Sequence, residues 1–477
     1  MSSLVRQDCN LKPYPTMKDT GVPWLGAVPV HWALRRTKTL LRERVQKGFP
    51  DEPLLAATQT KGVVLKEEYE NRTVLALKDL HLLKLVKIGD FVISLRSFQG
   101  GIEYARQQGI ISPAYTVLYP VQSDMHGFLA ALFKSRPYLE NLSLYVTGIR
   151  QGQNIDYEKL SRSELPLPPP AEQAAIVRYL DYMDRRIRKY IRIKQKLIKL
   201  LEEQKQAIIR RAVTRGLNPH VRLKPSGVPW LGEVPEHWEI LRGKYVGKLF
   251  STPSVPDHEL TDNGDGHAMY LKVSDLARTD GALRLRQSKL YVKSRRLVAN
   301  RDNQTFLVFP KRDGAIYTNK VGIVETYCLL DPNLMGWEIS ERFDPLYVAL
   351  LVKTRTLKDL ADVSSVPQIN NKHIDPILFP APPIAEQATI LSQLDRDLAG
   401  FNTAVVRTQN EIDLLREYRT RLIADAVTGK LDVREAAANL PNETGEAETL
   451  DDIETLAEGD GDGESANLDV VPEEAEA

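Results

Sequence analysis

Two parts of the chain gather side chains suited to reading a polar, charged surface. The first runs Ser94-Leu95-Arg96-Ser97-Phe98-Gln99-Gly100-Gly101 and follows an apolar segment. Arg106-Gln107-Gln108 comes soon after, then Thr147-Gly148-Ile149-Arg150-Gln151-Gly152-Gln153-Asn154. The second part holds Lys311-Arg312-Asp313-Gly314, Thr318-Asn319-Lys320 and Gln368-Ile369-Asn370-Asn371-Lys372. Arg forks onto the guanine edge, and Gln or Asn pairs with adenine. Lys, Ser, Thr and glycine-rich backbone suit phosphates. The candidate DNA contacts are therefore Arg96, Ser97, Gln99, Arg106, Arg150, Gln151, Gln153 and Asn154 in the first part. In the second they are Lys311, Arg312, Thr318, Asn319, Lys320, Gln368, Asn370, Asn371 and Lys372. Taken singly, each also reads as a turn former or a local hydrogen-bonding residue. Taken together, on loops carried by a scaffold, they point to nucleic acid.

Catalytic patterns are missing from the sequence. No Gly-x-x-x-x-Gly-Lys-Ser/Thr loop, His-Glu-x-x-His, Cys-x-x-Cys or nucleophile elbow occurs. The string closest to the Asn/Asp-Pro-Pro-aromatic motif of an adenine methyltransferase is Asp331-Pro-Asn-Leu, without the second proline or the aromatic. Glu103 and Asp313 are scattered acids, and the eight histidines form no cluster in sequence. No metal set and no cofactor loop is expected in this chain.

The net charge of +1 conceals two opposite regions. Glu435–Ala477 carries 15 Asp and Glu and no Lys or Arg, which leaves 64 basic against 48 acidic residues, or +16, in residues 1–434. A basic body fits a polyanionic partner; the same surplus would also serve merely to solvate helix faces. The acidic segment, with Gly-Asp-Gly-Asp-Gly at 459–463, has the composition of a disordered tail. Cys9 and Cys328 share no disulfide or metal spacing, and Met1–Asn10 lacks the apolar run of a signal peptide. A reducing cytoplasm and no membrane are therefore expected.

The elements that must position these residues occur twice. Gly21-Val-Pro-Trp-Leu-Gly26-Ala-Val-Pro-Val-His31-Trp32 returns as Gly227-Val-Pro-Trp-Leu-Gly232-Glu-Val-Pro-Glu-His237-Trp238, an offset of 206. Ala171-Glu172-Gln173 and Ala212-Val213-Thr214 return at 385–387 and 426–428, an offset of 214. Proline and glycine punctuate the first box, so it reads as a compact loop whose Trp24 and Trp230 pin it to a core rather than stack on bases. Between box and Ala-Glu-Gln lie two dissimilar regions, about 33–163 and 239–375. Their short β-branched runs read as strands: Gly89–Ser94, Tyr115–Tyr119, Thr305–Phe309 and Val321–Leu330. Gly127–Phe133 and Leu346–Lys353 read as helices between them, so each region is α+β.

Leu165-Pro-Leu-Pro-Pro-Pro170 and Phe379-Pro-Ala-Pro-Pro383 read as stiff, extended hinges. After them come long stretches with few breakers. Ala174–Val213 has no Gly or Pro and carries Ile176, Leu180, Met183, Ile187, Tyr190, Leu197, Leu201 and Ile208 at alternating four- and three-residue spacings, with Lys194 and Gln204 filling two heptad positions. The second copy carries Ile390, Leu394, Phe401, Ile412, Leu415 and Leu422. A helix of 40 residues is about 60 Å long. Sustained heptads in paired copies predict that the two helices pack on each other.

The whole order of box, variable region, proline hinge, Ala-Glu-Gln, long helix and Ala-Val-Thr, given twice, resembles the specificity subunit of type I restriction–modification enzymes. The resemblance spans about Gly21 to Arg434. It includes Ser94-Leu-Arg-Ser-Phe-Gln-Gly-Gly-Ile102, Ser112-Pro-Ala-Tyr-Thr-Val-Leu118, Pro168-Pro-Pro-Ala-Glu-Gln173 and Ala426-Val-Thr-Gly-Lys-Leu-Asp-Val-Arg434. It implies an α+β chain with pseudo-two-fold repeat: recognition domains at 1–165 and 217–379, and hinge-plus-helix segments at 166–216 and 380–434. The helices would form an antiparallel coiled coil, and 435–477 would be the acidic disordered tail. Each domain would read one half of a split site in double-stranded DNA, and the helices would set the spacer. The implied partners are two modification (methyltransferase) subunits and restriction (translocase/endonuclease) subunits. S-adenosylmethionine, ATP and Mg2+ would belong to those partners, leaving this chain without a catalytic residue, metal or cofactor. Two other readings stay open at this point: a self-contained nuclease with an unrecognised site, and a coiled-coil structural protein.

Overall fold

A computed structural model of the chain describes residues 11–59, 61–68, 79–94, 97–147, 154–264, 268–280, 283–293, 305–326, 328–362 and 367–441. The chain forms two compact units. One is built from residues 1–188 and 416–477, the other from 189–415. Each combines one box, one variable region, the start of one long helix and the end of the other.

In the first unit the box closes through a short antiparallel ladder, Met17–Asp19 against Ala27–Pro29. Trp32 is fully buried, edge-on to Phe128 at 6.2 Å between centroids. Trp24 lies edge-on to the buried Tyr138 at 5.6 Å. The box tryptophan is thus a packing residue, as large aromatics that bury their surface usually are. The variable region carries a four-stranded antiparallel sheet in the order Leu41–Glu43, Thr116–Pro120, Phe91–Ile93, Glu103–Tyr104. Helices His126–Phe133 and Arg136–Leu142 add Phe133 and Tyr138 to an aromatic core with Phe91.

The second unit repeats this plan with unrelated side chains. Its box ladder pairs Leu223–Pro225 with Glu233–Pro235. Its sheet runs Gly247–Phe250, Leu334–Ile339, Phe306–Pro310, Gly322–Val324, again all antiparallel. Trp238, Trp337, Tyr347 and Phe379 form the heart of one buried cluster, and Trp230 packs against it. A second sheet is added by Leu260–Thr261, Leu290–Val292, Ala268–Leu271 and Leu329–Leu330. The apolar run Val321–Leu330 is therefore two strands. Gly322–Val324 pairs with Phe306–Val308, whereas Leu329–Leu330 runs parallel to Tyr270–Leu271 in the other sheet.

The proline hinges, expected as stiff, extended joints, are extended and also paired. Glu164–Leu167 pairs along its whole length with Ala33–Arg36, and Leu378–Ala381 pairs likewise with Glu239–Arg242. These are two-stranded ladders, where a proline without an N–H is tolerated on an edge. Each variable region is thereby closed by its own first and last strands. The long helices then run from Pro170 to Arg215 and from Ile384 to Val427.

Helix ends return to the boxes. Gly216 ends the first helix at φ +70°, its N–H bonded to Ala212 O, and a Cβ there would sit 3.3 Å from the Trp238 ring. Gly429 follows the second helix at φ +72°, where a Cβ would come within 2.3 Å of Pro29 and 3.2 Å of Trp32. Only glycine meets both demands, a left-handed turn and contact with the box. That explains why Ala-Val-Thr precedes a glycine in both copies.

Within each unit the two helix segments are joined by ion pairs. Asp184 meets Arg419 in the first unit, and Lys194 meets Glu411 in the second. In the second unit Ala212 and Val213 share a buried cluster with Ile390 and Leu394. Rising numbers on one helix thus meet falling numbers on the other, so the segments run antiparallel there. Ile176, Leu180, Met183, Ile187, Ile390, Leu394, Ile412, Leu415 and Leu422 are buried. Leu201 and Phe401 are half-buried. Leu197 is 44% exposed, and Ile209 is buried where Ile208 is only partly so. A 3.6-residue helix drifts against a strict heptad, which moves the inward stripe over this length.

Candidate nucleic-acid interface

The repeated Ala-Glu-Gln fixes each recognition region to its helix. In the first unit the Glu172 carboxylate is 5% exposed and accepts hydrogen bonds from the Tyr14 hydroxyl, Trp32 Nε1 (2.8 Å) and His31 Nε2 (2.8 Å). Its place in the first turn also suits a negative charge at the positive end of the helix. Burial, and next the hydrogen bond to Glu172, hold the Tyr14 phenol far above its ordinary pKa. Arg434 lies over the Tyr14 ring at 5.1 Å and pairs with Asp432, whose N–H bonds Lys12 O. Gln173 donates to Pro168 O at 2.8 Å, closing the turn between hinge and helix. In the second unit Gln387 does the same to Pro382 O and also bonds Arg342 O and Asp344 N. Among the described residues, however, Glu386 bonds only His237, at 2.8 Å, and Trp238 Nε1 has no acceptor.

On the first unit, the turn after Phe91–Ile93 is held from below. Lys134 Nζ donates to Gly100 O (2.6 Å), Gln59 O (3.3 Å) and Glu103 Oε1 (2.7 Å). Glu103 is 2% exposed, and burial pushes its carboxyl up to about 7 against the pull of Lys134. Ser97 starts the short helix Ser97–Gly100 and is 1% exposed; its hydroxyl accepts from Ser94 N at 2.8 Å. Ser97 thus holds the turn and is not presented to a ligand, which corrects the expectation for it. Gln99 belongs to the same helix and Asn154 to the strand Asn154–Ile155. Arg106 is exposed. Arg96, Arg150, Gln151 and Gln153 lie outside the described residues.

On the second unit the structure joins two of the expected segments. Arg312 and Gln368 form an antiparallel bridge, flanked by Ile369 N to Lys311 O (2.9 Å) and Asp313 N to Pro367 O (3.2 Å). Arg312, Thr318, Gln368, Asn371 and Lys372 are exposed, and Lys320 is half-exposed. Lys311 Nζ donates to Ser251 Oγ at 2.9 Å, and burial lowers its pKa. Two expected contacts are structural instead. The Asn319 amide donates to Lys353 O and accepts from Leu357 N, both at 2.9 Å. The Asn370 side chain caps the helix Asn371–Ile374 by accepting from Lys372 N. Short polar side chains commonly bond nearby backbone in this way.

Sequence reasoning missed the clamp on Glu172. Its signal was present: His-Trp and Ala-Glu-Gln recur together in both halves. Among the described residues, no group of three or more His, Cys, Asp or Glu could hold a metal ion. No described helix is long and apolar enough to cross a membrane.

No family model matches the chain. It is 22% identical over 438 residues to a Methanocaldococcus jannaschii chain assigned as the specificity subunit of the type I restriction enzyme MjaX, covering 86% of this chain and 96% of that one. The MjaVIII type I specificity subunit of the same organism is 29% identical over 183 residues, 38% of this chain and 40% of that one. The fold matches a chain of a solved type I restriction–modification system with a TM-score of 0.60 at 15% identity, over 85% of this chain and 99% of the other. Similarity running nearly the full length of MjaX, a shared fold and the twice-built frame of box, Ala-Glu-Gln and glycine-ended helix point the same way: the chain is similar, over most of its length, to specificity subunits of type I restriction–modification enzymes.

Proposed function

We propose that this non-catalytic subunit reads a split sequence in double-stranded DNA, one half with each recognition domain (1–165 and 217–379). The observation that carries this is one sheet order, and one His–Glu link between box and helix, repeated in two units whose loop sequences are unrelated. Such a design keeps the frame fixed while the reading surface varies. In the first domain the contacts are Arg106 with Arg96, Gln99, Arg150, Gln151, Gln153 and Asn154. In the second they are Arg312, Gln368, Asn371 and Lys372, with Lys311, Thr318 and Lys320 towards phosphates.

The two hinge-plus-helix segments (166–216 and 380–434) form an antiparallel coiled coil in this reading. They set the distance between half-sites and dock two modification subunits, to which restriction subunits add. S-adenosylmethionine, ATP and Mg2+ belong to those partners. The host DNA places the complex in the cytoplasm. The acidic tail from residue 442 onward lies outside the described residues.

The test is binding of the assembled complex to DNA at increasing salt. Each neutralised phosphate releases counterions, so log K should fall linearly with log salt, at about −0.9 per contact. Six contacts would lower affinity about a thousandfold between 50 and 200 mM salt. Binding that ignores salt, or that ignores the site sequence, would overturn the proposal.

A further inference from the structure

One corner of the second unit concentrates backbone strain beneath an exposed aromatic ring. Among the described residues five non-glycine residues have positive φ, and three of them meet here. Asp313 (φ 60°, ψ −167°) and Asn319 (φ 49°, ψ 33°) flank the turn Gly314–Thr318. Thr356 (φ 72°, ψ 139°) ends the adjacent helix Pro345–Arg355. Asparagine tolerates the left-handed region, but the Asp313 region is essentially glycine's own, and a β-branched residue at positive φ is costly. Such conformations persist only where surroundings over-determine them. Here they do. Ile316 is fully buried under the turn, Asp313 N is bonded to Pro367 O, and the Asn319 amide ties the turn to Lys353 and Leu357.

The result is a rigid turn that presents Tyr317, 56% exposed, to solvent. Lys358 Nζ sits 5.9 Å from the ring centroid, and Arg312 and Gln368, both exposed, pair in the isolated bridge beside Asp313. A rigid aromatic with a cation beside it suits duplex DNA, because the ring can pack against a base edge or a thymine methyl while cations take phosphates. Topology supports this. In both units a short helical turn joins the third and fourth strands of the antiparallel sheet, and each turn carries one aromatic residue: Phe98 in Ser97–Gly100 and Tyr317 in Gly314–Thr318.

We propose that Tyr317 packs its ring against a base of the second half-site, with Arg312 and Lys358 on the flanking phosphates. This rests on the proposed reading of DNA by the second domain. The test uses the full chain assembled with its modification subunits and two duplexes. One carries the methylated site found in cells; the other has the second half-site scrambled. Tyr317→Ala should weaken binding to the intact site about tenfold, the scale of one base-edge contact. It should leave binding to the scrambled duplex unaltered, and Tyr317→Phe should restore most of the loss. Equal weakening on both duplexes, or none on either, overturns the proposal. Arg312→Ala separates the two levels. If it weakens binding and flattens the salt dependence while Tyr317→Ala is silent, the base contact falls and the domain's role stands. If Arg312→Ala, Gln368→Ala and Lys372→Ala are silent too, the reading of this face falls with it.

Discussion

Removing the Glu172 carboxylate should harm the first unit far more than removing its counterpart Glu386 harms the second. In the first unit Glu172→Ala leaves two donors without an acceptor: the Tyr14 hydroxyl and Trp32 Nε1, in residues 4% and 0% exposed. A buried donor left unpaired costs about 1–3 kcal/mol, so two cost roughly 4 kcal/mol. His31 is 38% exposed and recovers water, so it adds little. Glu172→Gln should fare little better, because one of its two arms becomes a donor facing other donors. In the second unit Glu386 and His237 are 30% and 48% exposed, and Trp238 Nε1 is already unpaired. A pair of that kind contributes at most about 1 kcal/mol. The assay is thermal unfolding followed by hydrogen exchange, which resolves the two units. The first unit's transition in Glu172→Ala should fall by roughly 10 °C, taking about 2–4 °C per kcal/mol for a domain of this size. In Glu386→Ala the second unit's transition should fall by about 4 °C or less. Equal shifts would refute the assignment of Glu172 as a buried clamp.

Two further outcomes follow from the structure. The Glu103 carboxyl is raised from 4.5 to about 7 by burial, so its contribution to stability is full below 4.5 and is lost as pH rises through about 7. Melting of wild type relative to Glu103→Gln should therefore fall across that window and level off above it; a difference that does not change with pH contradicts this. Inserting seven residues within Lys189–Glu203, with a matching insertion near Thr403–Glu417 to preserve the Lys194–Glu411 alignment, should lengthen the helices by about 10 Å. The methylated motif should then gain about three base pairs of spacer with both half-sites unchanged. A four-residue insertion should rotate the apolar stripe and prevent assembly.

The frame was legible in the sequence because its residues are extreme. Repeated Trp, Pro and Gly in the boxes leave few backbone choices, and long breaker-free stretches are helices under any plausible packing. The shared sheet order was not legible, since Phe91–Ile93 and Phe306–Pro310 have little in common beyond apolarity. Strand pairing is set by burial across the sheet, which periodicity does not reveal. The run Val321–Leu330 looked continuous because a change of sheet leaves its apolar character intact. For the candidate site, sequence does not reveal the division of labour within the segments it singles out. Asn319, Asn370 and Ser97 are polar loop residues like Arg312 and Gln368, yet their hydrogen bonds are internal. Tyr317 went unmarked because one tyrosine in a turn carries no pattern; only its exposure and its strained support set it apart.

The most direct test of modular reading is to map adenine methylation in host DNA with residues 239–375 exchanged for the equivalent region of another specificity subunit. The account predicts a two-part motif in which one half changes, while the other half and the method of its presentation, a fixed spacer, stay the same. A motif that changes in both halves, or that is undivided, would contradict it.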